Sequence, residues 1–393
     1  MMAHKPPHIA GRASSAPAGS ADADRRAVRV AAPVSTDPLA GPTEPSTLPP
    51  SPAVTWLKVV GAPTWLKLDR TRFAFTLGSA PSSHVDLSLP LRYVSRLHCR
   101  LERDGDWLVV SNHSQNGTYF DGQRKDRQPL KVGECFTVGS TPLLALDDYG
   151  KALHATLQRA LGYTADAAID EAQKGVAKVG QPPLVLTGPP GCEPERLARA
   201  IHEGSPRRAL PFVELDPRGS SSACARAVGA AQGGTLYVDL RAVKGRKLPA
   251  KVLAIVFAKD TRCRQVLAAP SLVSALAALD GRAARPEEIA IPAVATRGHD
   301  VPALLDALLA EQGASQRFVD LPLDRQEALC AFEWPENHED LRRTAPRLAA
   351  YLAHDGNVSA AARTLGVDDS TLAEALRRVG ILAPRVRAPW RLP

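Results

Sequence analysis

Ser95 and Arg96 place a hydroxyl donor beside a guanidinium, the pair of groups that holds a phosphate dianion through short, charge-assisted hydrogen bonds. Further along, Ser114-Gln115-Asn116-Gly117-Thr118 gathers hydroxyl and amide groups around a glycine suited to a tight turn. A second cluster follows the apolar run Pro183–Thr187, where the loop Gly188-Pro189-Pro190-Gly191-Cys192-Glu193-Pro194 leads towards a helix. A loop of that kind cradles phosphates when glycines let its backbone approach, a lysine reaches the β/γ-phosphates and a Ser or Thr meets magnesium. Here Glu193 and Pro194 oppose that chemistry, because a carboxylate repels a triphosphate and proline has no N–H to donate. Asp239 ends another apolar run, Gly234–Val238, either as a metal-binding carboxylate or as the polar end of a buried strand.

Elements must position these groups. Thr55–Val60, Arg72–Leu77 and Trp107–Val110 are β-branched or aromatic runs, bounded by turn signals at Asp104-Gly105, Asn116-Gly117 and Asp121-Gly122. Short strands at this spacing predict a β-sandwich. Helical patterns follow at 151–161 and 166–179. Strand runs at 183–187, 234–239 and 264–269 then alternate with helix, as at 194–202, which implies a parallel α/β layer. Beyond Val301 the pattern is helical. Residues 1–52 are rich in Ala, Pro, Ser and Gly without a hydrophobic period. Such a segment buries too little apolar area to offset its ordering entropy, so a disordered leader is expected, passive or carrying kinase targets.

The chain has 393 residues, enough for two or three cores. Its 44% hydrophobic and 23% charged residues fit a globular protein, and its net charge of +8 permits a nucleic-acid partner without requiring one. Cysteines at 99, 135, 192, 224, 263 and 330 form no Cys-x-x-Cys knuckle, so reduced thiols, a cytoplasmic location and no metal site are expected. The sequence lacks an apolar run long enough for a transmembrane helix and an apolar core for a secretory signal.

Leu77-Gly78-Ser79, Ser95-Arg96-Leu97-His98 and Ser114-Gln115-Asn116-Gly117-Thr118, in that order, resemble the FHA family over most of residues 55–146. The resemblance implies a β-sandwich whose loops at one end bind phosphothreonine peptides. It implies that Ser95 contacts phosphate, that Asn116 holds the peptide backbone and that Gln115 lies near the phosphothreonine. His98 would brace the Ser95 loop from within, while Gly78 and Gly117 permit the turns. The family usually carries arginine after the first loop's glycine, and here that position is Ser79. A missing charge-assisted contact costs about 1.5–3 kcal/mol, ten- to a hundredfold in affinity. Arg72 and Arg92 are candidates to compensate. The alternative is that Ser95, His98 and Asn116 only cap loops of an interaction scaffold.

From Pro183 to about Ala353 the chain resembles the AAA+ domain of sigma-54-dependent transcription activators. The resemblance rests on Gly188–Glu195, Arg199-Ala200-Ile201-His202, Ser205-Pro206-Arg207, Pro211-Phe212-Val213, Gly233–Asp239 and Trp334-Pro335-Glu336-Asn337. Against that pattern Glu193 replaces the last loop glycine, Pro194 the lysine, Leu240 the acid after Asp239, and Glu339 the sensor arginine. Gly188 and Gly191 remain, so the nucleotide site is expected to be degenerate and ATP hydrolysis lost. The stretch Asp216–Gly233 is too short for the segment that touches the sigma factor, and Gly-Ala-Phe-Thr-Gly-Ala does not occur in the sequence.

Residues 356–367, with Ser370-Thr371-Leu372 and Gly380-Ile381, are similar to the Fis-type helix-turn-helix that closes such activators. Asn357 and Asp368 suit N-caps, Gly366 and Gly380 suit helix stops, and Ala361, Leu365, Val367, Leu372 and Leu376 are expected to share a core. The resemblance makes Arg363, Ser370, Thr371, Arg377 and Arg378 candidate DNA contacts, aided by Arg385, Arg387 and Arg391. Asp368, Asp369 and Glu374 oppose this, since acidic groups facing phosphates weaken the electrostatic attraction that dominates DNA affinity. A helical cap or dimerisation unit is the other reading.

The expected order is a leader (1–52), an FHA β-sandwich (53–148), a helical linker (149–180), a degenerate α/β AAA+-like domain (181–300), its helical lid (301–353), a helix-turn-helix (354–382) and a basic tail (383–393). Two functions fit: a phosphothreonine-dependent transcriptional regulator without ATPase activity, or a phosphopeptide-binding adaptor that does not touch DNA. Neither needs a cofactor or a membrane. The expected partner is a phosphothreonine-containing protein, with DNA and a second copy of the chain left open.

Overall fold

The structure, a computed structural model, describes residues 28–30, 53–177, 182–243, 247–258, 262–280 and 286–384. The first strand, β1 (Val28–Val30), falls inside the expected leader and pairs antiparallel with the edge of the α/β sheet. An edge strand offers unpaired N–H and C=O groups that a β-rich Val-Arg-Val run can satisfy, which overrides the low-complexity reading at these residues. The rest of 1–52 and the tail arginines lie outside the described residues.

A sandwich follows, built from β2 (Trp56–Val59), β3 (Trp65–Lys67), β4 (Ala74–Gly78), β5 (Leu87–Ser88), β6 (Cys99–Asp104), β7 (Trp107–Asn112), β8 (Thr118–Phe120), β9 (Gln123–Arg124), β10 (Arg127–Leu130), β11 (Cys135–Val138) and β12 (Thr141–Leu146). One sheet runs β10-β7-β6-β4-β5 and the other β3-β2-β12-β11-β8-β9. Neighbours are antiparallel except β4 and β5. Leu57, Phe75, Leu77, Leu101, Leu108, Phe136 and Leu143 fill the space between them. Each such side chain contributes about 1.5–3 kcal/mol of burial energy.

Two helices, α1 (Asp148–Leu161) and α2 (Asp166–Ala177), lie where a linker was expected, but they form a docking layer. Asp147 caps α1 by accepting the Gly150 N–H at 2.7 Å. Asp148 accepts from Trp56 Nε1 at 2.7 Å and Arg70 Nη2 at 2.8 Å, which fastens the sandwich to the helix. Lys58 is fully buried, 3.5 Å from the equally buried Asp170 and 3.7 Å from Asp166. Asp170 also accepts the Gly61 N–H at 2.7 Å.

The α/β unit comprises β13 (Leu184–Thr187), α3 (Pro194–Glu203), β14 (Phe212–Leu215), α4 (Ser221–Ala230), β15 (Thr235–Asp239), α5 (Ala250–Val256), β16 (Arg264–Ala269), α6 (Leu272–Ala278) and β17 (Glu287–Ala290). Its sheet order is β1-β14-β15-β16-β13-β17, parallel apart from β1. The strand runs are apolar because helices cover both faces. Ala227, Val252 and Ala275 pack on one side, and Leu157, Ile169 and Leu197 on the other.

The remaining helices are α7 (Val301–Glu311), α8 (Leu323–Ala331), α9 (Asn337–Ala353), α10 (Val358–Leu365) and α11 (Asp369–Arg378). Leu304, Trp334, Leu341 and Leu348 share a single core with Ala361, Leu372, Leu376 and Ile381. The expected boundary after residue 353 therefore does not separate two cores. Helices as short as α10 and α11 need a neighbour's apolar face for stability, and α9 supplies it.

Candidate functional site

The FHA-like loops are held together from inside the sandwich. Ser79 N donates to Ser95 O at 2.9 Å and Ala80 N to Arg96 O at 3.1 Å, which joins the loop after β4 to the loop before β6. A Cβ on Gly78 would stand 2.1 Å from Arg96 O, so close approach demands glycine there. His98 is fully buried below this junction. Its Nδ1 accepts the Ser95 N–H at 3.1 Å, and its Nε2–H donates to Gly117 O at 3.0 Å. These partners define a neutral tautomer. Burial holds the imidazole below its ordinary pKa, opposed in part by the Gly117 carbonyl.

On the outer side, Ser95 Oγ lies 2.6 Å from Ser114 Oγ, which also accepts the Asn116 N–H at 3.0 Å. Asn116 Nδ2 donates to Tyr93 O at 3.0 Å. Gly117 takes the left-handed φ of +82° that the turn requires. Arg96, Gln115 and Asn116 are exposed, and Ser79 and Ser95 half-buried, so the structure brings all five phosphopeptide candidates to one end of the sandwich. Ser114 was missed as a site residue, although its place in the Ser-Gln-Asn-Gly-Thr motif was a signal for it.

The proposed compensation for Ser79 needs correction. Arg72 is paired with Asp86 at 2.6 Å, and the same carboxylate takes the Thr76 N–H and hydroxyl, so Arg72 is committed away from the loops. Arg92 stays beside the site, with its guanidinium 4.9 Å from the centre of the Tyr93 ring. Arg124 is a further exposed cation here, reaching Gln115 O at 3.4 Å. It lies outside the motifs, so sequence reading passed over it.

In the α/β unit, β13 lies between β16 and β17, while the chain leaves it through α3 for β14 on the far side. The loop after β13 therefore sits at the sheet's topological switch point, the place where such sheets bind ligands. The chemistry present there is self-contained. Gly188 packs within 2.9 Å of Cys192 Sγ for a built Cβ, and Gly191 has φ +72°. Glu193 occupies the N-cap position of α3 without a side-chain capping bond, and Pro194 opens the helix. Arg342 Nε and Nη2 meet the two Glu193 oxygens at 2.9 and 3.1 Å. The carboxylate is thus an ion-pair partner and not the free repulsive charge expected from sequence.

Asp239 accepts from Arg241 three times, from N and Nε at 2.9 Å and from Nη2 at 2.7 Å. That bidentate pair pushes the Arg241 pKa above its ordinary range. Leu240 is buried, and Glu339 pairs with Arg343. Between β14 and β15 the chain forms only α4, capped by Ser220. Among the described residues, His, Cys, Asp and Glu form no cluster of three suited to a metal.

In the C-terminal pair, Asn357 Oδ1 caps α10 by accepting the Ala360 N–H at 3.1 Å, and Gly366 stops it at φ +65°. Asp368 occupies the N-cap position of α11, but its side chain makes no capping bond, while Asp369 accepts from the Ser359 hydroxyl. Val367 is 42% exposed and Leu365 half-buried, so the shared core uses Val379 and Ile381 in place of Val367. Asp368, Asp369, Ser370, Thr371 and Glu374 face solvent together, and Arg363 is exposed on α10. Arg378 departs from expectation. Its side chain stays exposed, but its guanidinium pairs with the buried Asp340 of α9 and lies 5.8 Å from the Phe332 ring centre. Arg377 is half-buried.

Residues 75–139 match the FHA domain family, a stretch that runs from β4 to Gly139 and contains the whole loop network. No curated protein matches this sequence. Among solved structures, NtrX from Brucella abortus in complex with ATP is 20% identical with a TM-score of 0.37, covering 58% of this chain and 72% of that one. The FHA domain of the CT664 protein from Chlamydia trachomatis is 23% identical with a TM-score of 0.22, covering 23% of this chain and 95% of that one. Mycobacterium tuberculosis EmbR in complex with a low-affinity phosphopeptide is 21% identical with a TM-score of 0.22, covering 24% of each chain. This chain carries an FHA domain, followed by an α/β domain and a C-terminal helical region. None of its described helices is long and apolar enough to cross a membrane.

Proposed function

We propose that the chain is a phosphothreonine-dependent signalling protein in which the FHA domain binds the product of a Ser/Thr kinase. The observation that carries this reading is the joined set of Ser95, Ser114 and Asn116 above buried His98, with Arg96 exposed at its rim. Hydroxyl donors and a cation at one solvent-facing point suit a phosphate dianion. A phosphothreonine peptide library should yield binders whose affinity falls at least about tenfold in Ser95→Ala or Asn116→Ala, the loss of one charge-assisted bond. Unchanged binding in both variants refutes the site.

The α/β unit in this reading is an ATPase scaffold without hydrolysis and without sigma-54 contact. Glu193 and Pro194 stand in its phosphate loop, Arg241 occupies Asp239, and α4 replaces a long partner-binding segment. ATP turnover that disappears in Asp239→Ala would overturn this.

For the output, the acidic solvent face of α11 and the pairing of Arg378 with Asp340 favour an adaptor working through protein contacts. Transcriptional regulation is the second reading, favoured by the helix-turn-helix arrangement of α10 and α11 with Arg363 exposed. A low-salt gel shift with genomic fragments, lost in Arg363→Ala/Arg377→Ala, would establish DNA contact. No shift at any salt leaves the adaptor.

A further inference from the structure

We propose that Glu193 is a built-in anion that stands in for a bound oxyanion and latches α9 over the loop following β13. A strand-to-helix loop of this kind normally offers its helix N-terminus to an external anion. Here the Glu193 carboxylate makes no bond to that helix N-terminus and meets the cations Arg342 and Arg196 beside it. Glu193 sits at the N-cap of α3 with φ 52° and ψ 52°, a left-handed conformation that only glycine adopts freely. Such a residue persists when its surroundings over-determine it, and the surroundings here are the helical body.

Arg342 of α9 grips both Glu193 oxygens, at 2.9 and 3.1 Å, and its Nη1 extends to Glu311 of α7 at 3.5 Å. Arg196 lies 3.7 Å from the same Glu193 carboxylate. The loop backbone is held as closely. Gly191 O accepts the Glu339 N–H at 3.1 Å, and Pro190 O accepts Asn337 Nδ2 at 2.9 Å. Asn337 Oδ1 in turn takes the Val294 N–H at 2.8 Å, tying the loop to the segment after β17. A Cβ on Gly191 would lie 1.9 Å from Glu336 O, so the start of α9 rests directly on the loop.

These contacts hold the start of α9 directly on the loop of the α/β unit. The inference builds on the reading of the α/β unit as catalytically silent, but the two fail separately. ATP turnover bears on that reading, whereas the stability of α9 bears on the latch.

Hydrogen exchange of the full chain, with and without millimolar inorganic pyrophosphate, tests it. Glu193→Gly relieves the left-handed backbone while removing the anion, so this variant keeps the fold. Exchange over 337–353 should rise roughly five- to thirtyfold in Glu193→Gly, the range given by one or two kcal/mol. Arg342→Ala, which also loses the Glu311 contact, should raise it at least as much, and the double variant should add little to Arg342→Ala, because both lack the Glu193–Arg342 interaction. Pyrophosphate should restore protection in Glu193→Gly and leave the wild type unchanged. Wild-type exchange rates over 337–353 in Glu193→Gly would overturn the proposal. So would pyrophosphate protection of the wild type equal to that of the variant.

Discussion

Replacing His98 by alanine removes a side chain bonded to both recognition loops. The Ser95 N–H loses its acceptor at 3.1 Å, and Gly117 O loses its donor at 3.0 Å. Each buried group left without a partner costs about 1–3 kcal/mol. The Ser95 amide is only partly buried, so the expected destabilisation is about 2–4 kcal/mol, a large share of the 5–15 kcal/mol typical of a domain. Urea unfolding followed by the fluorescence of Trp56, Trp65 and Trp107, all in the sandwich, reads it. Phosphopeptide affinity should fall with it, because Ser95 and Asn116 lose their common support. The native bonds also require neutral imidazole, whose Nδ1 accepts. Its folded pKa lies below the ordinary 6.5, so its stabilisation is complete above about that pH and fades as pH falls through the folded value. An unfolding midpoint moved by less than about 0.5 kcal/mol, the range of neutral surface changes, with peptide binding intact, would refute the reasoning.

Two further outcomes are expected. His202 and His338 are pushed down from 6.5 to about 4, chiefly by burial, so thermal stability should be level above pH 6.5 and decline between there and 4. A profile without an acid-side decline in that interval counts against both environments. Lys58→Met strands the buried Asp170 and should cost about 3–5 kcal/mol, while Lys58→Met/Asp170→Leu should recover most of it. Equal stability of the single and double variants in urea unfolding would show that the pair does not join the sandwich to α2.

Local chemistry made much of this molecule legible before its structure. Asn357 and Gly366 bound α10 as their types require, and the apolar residues of β4 and β7 place Phe75, Leu77, Leu108 and Val110 in the sandwich core. The Ser-Arg and Ser-Gln-Asn-Gly-Thr motifs converge on one end of the sandwich. What escaped was set by partners distant in the chain. Lys58 is a charged residue in a strand run, and its complete burial is explained by Asp170, 112 positions later, together with Asp166 and the Val59 and Ala62 carbonyls. Arg378 reads as a DNA contact until Asp340 takes it, and Arg72 as a spare cation until Asp86 does. Glu193 reads as a repulsive charge in a phosphate loop, because nothing near it in sequence announces Arg342.

The helix α1 has a consequence for how a binding event at one end would be felt at the other. Asp148, at its start, is bonded to Trp56 and Arg70 of the sandwich. Leu153 and Leu157, in its middle, pack among the residues of β13 and α3. Arg159, near its end, meets Glu311 of α7 at 3.3 Å, and its carbonyl accepts from Arg297 at 3.0 Å. A rod of 14 residues, about 21 Å long, thus touches all three bodies in turn. Parts joined by a slack tether report only that they are near each other. Parts bolted along one strut also share direction, so a tilt imposed on the sandwich becomes a tilt of the helices beyond it.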